Sequence, residues 1–185
     1  MAELLWVALS YRLPREPSRL RLAVWRRLKR LGATVLHDAV WLLPADAKSR
    51  EAFEWLAEEI EEQGGTAFVW EATSFGSAQD HTIAAQFRAE ADERYAAIAE
   101  SAAALRRLAT RRRSARRARL DQARRQLAGL ERALRLEARR DHFRAPGRRV
   151  AEEALRAADR ALAEPQGVAP GARTRDRGHA GAVGH

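Results

Sequence analysis

All five tryptophans of this 185-residue chain, at positions 6, 25, 41, 55 and 70, fall in its first 70 residues. Large aromatic side chains dominate the energetics of a core, so the main core is expected to be N-terminal. The segment opens on an almost unbroken apolar run, LLWVALS at residues 4–10, which reads as a central strand buried on both faces. Tyr11, Arg12, Leu13 and Pro14 end it, because Pro14 disfavours a helical Leu13 and cannot extend a ladder. Ser18 is a good N-cap for a helix reaching Leu31, with Gly32 as its stop. Leu20, Val24, Trp25, Leu28 and Leu31 are expected on one face of this helix, and Arg19, Arg26, Arg27, Lys29 and Arg30 on the other.

Two short strands follow, 34–36 and 40–43, joined by His37, Asp38 and Ala39 and closed by Pro44. A second helix over 49–63 buries Phe53, Leu56 and Ile60 and stops at Gly64 and Gly65. The last strand spans 66–71. The order βαββαβ predicts an α+β fold: a ferredoxin-like four-stranded antiparallel sheet with both helices on one face. Trp55 falls off the apolar stripe of the second helix and is expected to pack against an added element or a partner.

The character of the sequence changes after the Ser/Gly-containing break at 73–77. Phe87, Ala91, Ile98, Leu105 and Leu108 recur at helical spacing, with Tyr95 nearby, and Leu120, Leu127, Leu130 and Leu134 do the same further on. Between them lies the Arg-rich stretch 110–119. An antiparallel helical hairpin with this stretch at or near its tip is expected. One uninterrupted long helix is the alternative, because Arg and Ala are good helix formers. A last helix covers 148–163. The organisation read from the sequence is therefore a ferredoxin-like domain at 1–76, an Arg-rich helical region at 77–164, and a disordered tail at 165–185, where five of the eleven glycines lie and no apolar period survives.

Charge follows the same division. Residues 1–105 hold 12 Lys/Arg against 16 Asp/Glu, whereas residues 106–144 hold 15 Arg against 4 acids, a net of +11 within a chain of net +9. A segment of that kind suits a polyanion. Arg offers bidentate recognition of phosphate or another tetrahedral oxyanion. The residues expected to contact DNA phosphates are Arg111, Arg112, Arg113, Arg116, Arg117 and Arg119, with Arg26, Arg27 and Arg30 forming a second basic surface. Only two of the 34 basic residues are Lys; a GC-rich coding sequence would explain that bias, but not the clustering.

Catalytic chemistry is not legible. With no Cys, disulfides and thiolate metal sites are excluded. The five His, at 37, 81, 142, 179 and 185, show no ligand spacing with carboxylates, and no nucleophile elbow or phosphate-binding glycine loop occurs. The acidic run Glu58, Glu59, Glu61 and Glu62 reads as a solvated helix face. No cofactor, metal or enzymatic activity is expected. No apolar run approaches the roughly 20 residues of a membrane span, and the first ten residues lack a basic leader pattern, so a cytoplasmic protein without membrane contact is expected. The small metal-dependent nucleases of CRISPR adaptation share the βαββαβ plan and place an Asp at the end of the first strand. Here Ser10, Tyr11 and Arg12 stand there, which argues against a two-metal hydrolytic site.

The ordered block at 6–44, with Phe53-Glu-Trp-Leu-Ala-Glu-Glu-Ile60 and Gly64-Gly65 before an apolar strand, resembles the N-terminal domain of ChrB chromate-resistance proteins. Phe87-Arg88, Glu93-Arg94-Tyr95 and Arg139-Arg140-Asp141-His142-Phe143 are similar to its helical part. A more distant likeness is to the PaaX group of transcriptional repressors. The resemblance covers residues 4–164 and implies transcription regulation in chromate resistance. DNA is the partner expected from the Arg-rich segment; the alternatives are a module whose helical hairpin pairs with a second copy or a ChrB-type partner protein, and a direct sensor of the chromate oxyanion. Full ChrB proteins continue into a second domain.

Overall fold

The structure, a computed structural model, describes residues 4–15, 18–38, 40–111 and 117–163, with backbone only at 18, 110, 111, 117 and 118. The first six elements are β1 (Leu5–Arg12), α1 (Ser18–Leu31), β2 (Thr34–His37), β3 (Val40–Pro44), α2 (Ala47–Glu62) and β4 (Thr66–Thr73). The strands form one antiparallel sheet in the order β2-β3-β1-β4. The expected α+β architecture, with a four-stranded antiparallel sheet followed by helices, is therefore present.

β1 lies between β3 and β4, which explains its continuous apolar run. Val7 and Leu9 point into a core with Val24 and Leu28 of α1, Trp41 and Leu43 of β3, and Phe53, Leu56 and Ile60 of α2. Trp6 and Ala8 point to the opposite face, where they meet Leu42 and a third helix. Both faces of the central strand are thus covered.

The two helix tryptophans lie outside the core. Trp25 is half-exposed, because a step of about 100° per residue carries it beside the Val24–Leu28 stripe rather than onto it. Trp55 is also exposed; no described element covers it. α2 begins two residues before its predicted start, since Asp46 is its N-cap: the Asp46 carboxylate accepts from the Ser49 N–H at 2.6 Å.

Three more helices follow: α3 (Ser77–Arg111), α4 (Arg117–Arg140) and α5 (Gly147–Ala163). The first part of α3 crosses the second sheet face and places Ile83 and Phe87 over Trp6, Ala8 and Leu42. Asp80 in its first turn fixes the start: it accepts from Trp6 Nε1 at 2.8 Å and from the Leu4 N–H at 3.1 Å. The hydrogen bond from Trp6, then those from Ser74 and Leu4, hold the Asp80 carboxyl below the usual aspartate range. A depressed folded-state pKa contributes stability that is complete above the unfolded value of about 4 and lost as pH falls through the folded one. Asp80→Asn is therefore expected to flatten the acid limb of the stability–pH curve below about pH 4, read by denaturant unfolding at stepped pH. An unchanged acid limb would remove Asp80 from this role.

The rest of α3 builds a bundle with α4 and α5, in which Tyr95, Ile98, Ala102 and Leu105 pack with Leu127, Leu155, Ala158 and Leu162. α3 and α4 run antiparallel, since Arg94 meets Glu137 at one end and Leu108 and Ala109 line one hollow with Leu120 and Ala123 at the other. The hairpin reading holds over its described arms; residues 112–116, where its tip is expected, lie outside the described residues, as does the tail at 165–185. Leu108, expected on the buried stripe, is exposed. Burial, reinforced by the Asp141 carboxylate that accepts its hydroxyl at 3.2 Å, raises the Tyr95 pKa, so Tyr95 stays a neutral donor.

Sheet and bundle meet at a joint with two parts. One is aromatic: Trp6, Phe87 and Phe143 stand with ring centroids 5.9, 5.8 and 5.3 Å apart. The other is ionic. Glu137 of α4 accepts from Arg94 Nε and Arg140 Nε, both at 2.6 Å, and Arg140 Nη1 donates to the Lys29 carbonyl of α1 at 3.1 Å. Lys29 Nζ reaches Glu90 at 2.8 Å, and Thr34 Oγ1 donates to the same carboxylate. Burial pushes the Glu90 carboxyl up, but the hydrogen bonds from Lys29 and Thr34 with the charges of Lys29 and Arg94 outweigh it, so the group lies below its ordinary range. Gly32, at φ +75°, ends α1, and a Cβ there would sit 2.5 Å from the Arg140 carbonyl oxygen. Only glycine fits both the left-handed turn and this approach.

Candidate polyanion interface

Three helix ends converge beside the joint. The last turn of α1 brings Arg30, the first turn of α2 brings Lys48, and the last turn of α4 brings Arg139 and Arg140. Together with His142 they line a cleft of about 250 Å³ whose carboxylate is Asp46. Basic residues suit the α1 and α4 ends because unsatisfied carbonyls make a helix C-terminus negative. Not all the charge is consumed this way. Arg140 is held by Glu137, and His142 Nε2 lies 3.2 Å from the Leu31 carbonyl. The Asp46 carboxylate caps α2, and the Ser49 backbone hydrogen bond, opposed by burial, holds its pKa low. Among the described residues, Arg30, Lys48 and Arg139 enter no ion pair.

Exposed basic residues continue along α4 from the cleft. Arg125, Arg132 and Arg139 are all exposed and recur every seven residues. Seven residues are nearly two helical turns, so the three share one face at roughly 10 Å intervals along the axis. Leu127 and Leu134 keep the same period on the buried face. A stripe of three guanidinium groups thus runs over about 20 Å and ends at Arg30 and Lys48. Such an array of fixed cations can hold several phosphates, or one oxyanion in the cleft.

The residues expected from the sequence distribute unevenly. Arg30 lines the cleft, and Arg26, exposed, stands one turn before it on α1. Arg27 faces α2 and pairs with Glu59 at 3.2 Å, which makes it a tie between helices rather than a free contact. Arg119 is exposed but stands some 120° around α4 from Arg125, beside an apolar hollow with Leu108, Leu120 and Leu162. Arg112, Arg113 and Arg116, and the side chains of Arg111 and Arg117, lie outside the described residues. The sequence reading missed Arg125, Arg132, Arg139 and Lys48. The heptad recurrence of the three Arg was a usable signal; Lys48 enters only through tertiary structure. Among the described residues no group of three or more His, Asp or Glu gathers as for a metal ion, and no described helix is long and apolar enough to cross a membrane.

A family model described as "Protein ChrB, N-terminal" matches residues 21–166. The chain belongs to the ChrB N-terminal family. This membership relates it to chromate resistance. The ChrB match begins inside α1 and runs past the end of α5, so all the cations of cleft and stripe lie within the ChrB region, whereas β1 precedes it. No curated protein and no solved structure matches the chain.

Proposed function

We propose that this chain is a non-enzymatic, cytoplasmic regulatory protein of chromate resistance that binds DNA through the Arg stripe of α4 and the cleft at its end. The observation that carries the reading is Arg125, Arg132 and Arg139 in line with Arg30 and Lys48, with no carboxylate paired to any of them among the described residues. Phosphate contacts of this kind give affinity and register without sequence choice. The N-terminal unit is read as ferredoxin-like: its βαββαβ order, with β1 between β3 and β4 and both α1 and α2 on one face, supports that reading. It serves as the platform from which α4 projects. Fluorescence anisotropy with labelled duplex DNA from the chain's own upstream region, at rising salt, tests the proposal. Binding that weakens linearly in log–log form is expected; no binding at low salt would remove it.

A second reading is favoured by the cleft alone. At about 250 Å³, ringed by Arg30, Lys48, Arg139 and His142, it suits a single tetrahedral dianion such as chromate. Calorimetry with chromate against sulfate separates the two readings. Chromate heat that disappears in Arg30→Ala/Lys48→Ala supports a sensor, and equal or absent heats leave only the DNA interface.

A further inference from the structure

Among the described residues β4 is an edge strand, hydrogen-bonded to β1 alone. Folded proteins usually blunt such an edge with a short length, a bulge, Pro or charge. The opposite edge, β2, obeys this rule: it has four residues and a register shift between Val35 and His37. β4 does not. It runs eight residues, TAFVWEAT, with no Pro, Gly or Lys, and its single charge, Glu71, pairs with Arg50 of its own chain. Among the described residues nothing pairs with its outer backbone N–H and C=O groups.

The strand also carries an uncovered aromatic pair. Phe68 and Trp70 stack at 6.3 Å between ring centroids and are 60% and 51% exposed. Their neighbours on β1 are the small Ser10 and Ala8, and α3 lies over Trp6 and Leu42 instead. Aromatic rings left in water beside an open ladder mark an interaction site.

We propose that β4 pairs antiparallel with β4 of a second copy of this chain, joining two four-stranded sheets into one of eight strands. The strand is self-complementary. In a register centred on Val69, Phe68 faces Trp70 of the second copy and Trp70 faces its Phe68, giving two cross-strand aromatic pairs from one contact. Ala67 then stands opposite Glu71 of the second copy, so no like charges meet. The net +9 of the chain does not gather here, because residues 1–105, which carry β4, hold more acids than bases. An arbitrary extended peptide would satisfy the backbone row but would give the ring pairs only by chance.

Sedimentation of the full chain without nucleic acid tests this independently of the DNA proposal. The expected native species has twice the 20.7 kDa chain mass. Phe68→Lys/Trp70→Lys is expected to shift the dimer to monomer, raising the dissociation constant at least about tenfold, with an unchanged circular dichroism spectrum. Because the chain has no Cys, Val69→Cys with a short bismaleimide gives a second readout should the double variant not fold. A cross-linked dimer is expected, while Leu36→Cys on the other edge stays monomeric. A native chain that is monomeric throughout, a dimer that survives the folded double variant, or no cross-link at position 69 would each overturn the proposal.

Discussion

Glu137→Ala is expected to lower the unfolding free energy by about 3–5 kcal/mol, the usual cost of breaking a buried ion pair from one side. Glu137 is only 1% exposed and receives two guanidinium groups, from Arg94 and Arg140. Truncation leaves both cations partly buried with much of their compensation gone. Arg94 retains Glu90 at 3.6 Å, and Arg140 retains the Lys29 carbonyl. For a chain of this length the loss corresponds to a melting temperature lower by on the order of 10 °C, measurable by calorimetry. Glu137→Gln, which keeps the shape and one acceptor, is expected to fall between. A truncation that costs less than about 1 kcal/mol would show that the Glu137 ion pairs contribute little to the joint.

The triple variant Arg125→Ala/Arg132→Ala/Arg139→Ala is expected to weaken DNA binding at low salt by more than tenfold. It should also reduce the steepness of log K against log salt by roughly 2.7, since each lost phosphate contact removes about 0.9. The fold should tolerate it, because all three side chains are exposed and none is in an ion pair among the described residues. The informative comparison is a variant with Arg111, Arg112, Arg113, Arg116, Arg117 and Arg119 replaced by Ala. If that variant loses binding and the stripe variant keeps both affinity and salt slope, the contact belongs to the hairpin tip and the stripe assignment is wrong.

Elements whose signal is local were legible in the sequence. The apolar run of β1, the stripe of Phe53, Leu56 and Ile60, and the heptad of Leu120, Leu127 and Leu134 each place themselves, because burial on a strand or helix repeats at a short period. Trp25 misled because one residue of offset on a helix turns a side chain by about 100°, which a list of apolar residues does not register. The aromatic cluster was not legible, since Trp6, Phe87 and Phe143 are brought together only by α3 crossing the second sheet face. The candidate interface was half legible. Arg30 was expected, but its companions Lys48 and Arg139 are 18 and 109 positions away in the chain. Charge density pointed to residues 111–119, yet density along the chain is a weak guide to which cations share a surface.

The contact at Gly32 bears on how this molecule can move. The α4 end is seated against α1 at a point where even a methyl group has no room, and Arg140 and His142 meet the carbonyls of Lys29 and Leu31, which flank Arg30. α1 itself holds no glycine that would offer a second such seat. α4 cannot creep along α1 in small steps; it is either home or released, because close-packed contacts switch between discrete arrangements instead of deforming continuously. Any signal that repositions the basic stripe relative to the sheet therefore has to act as a latch.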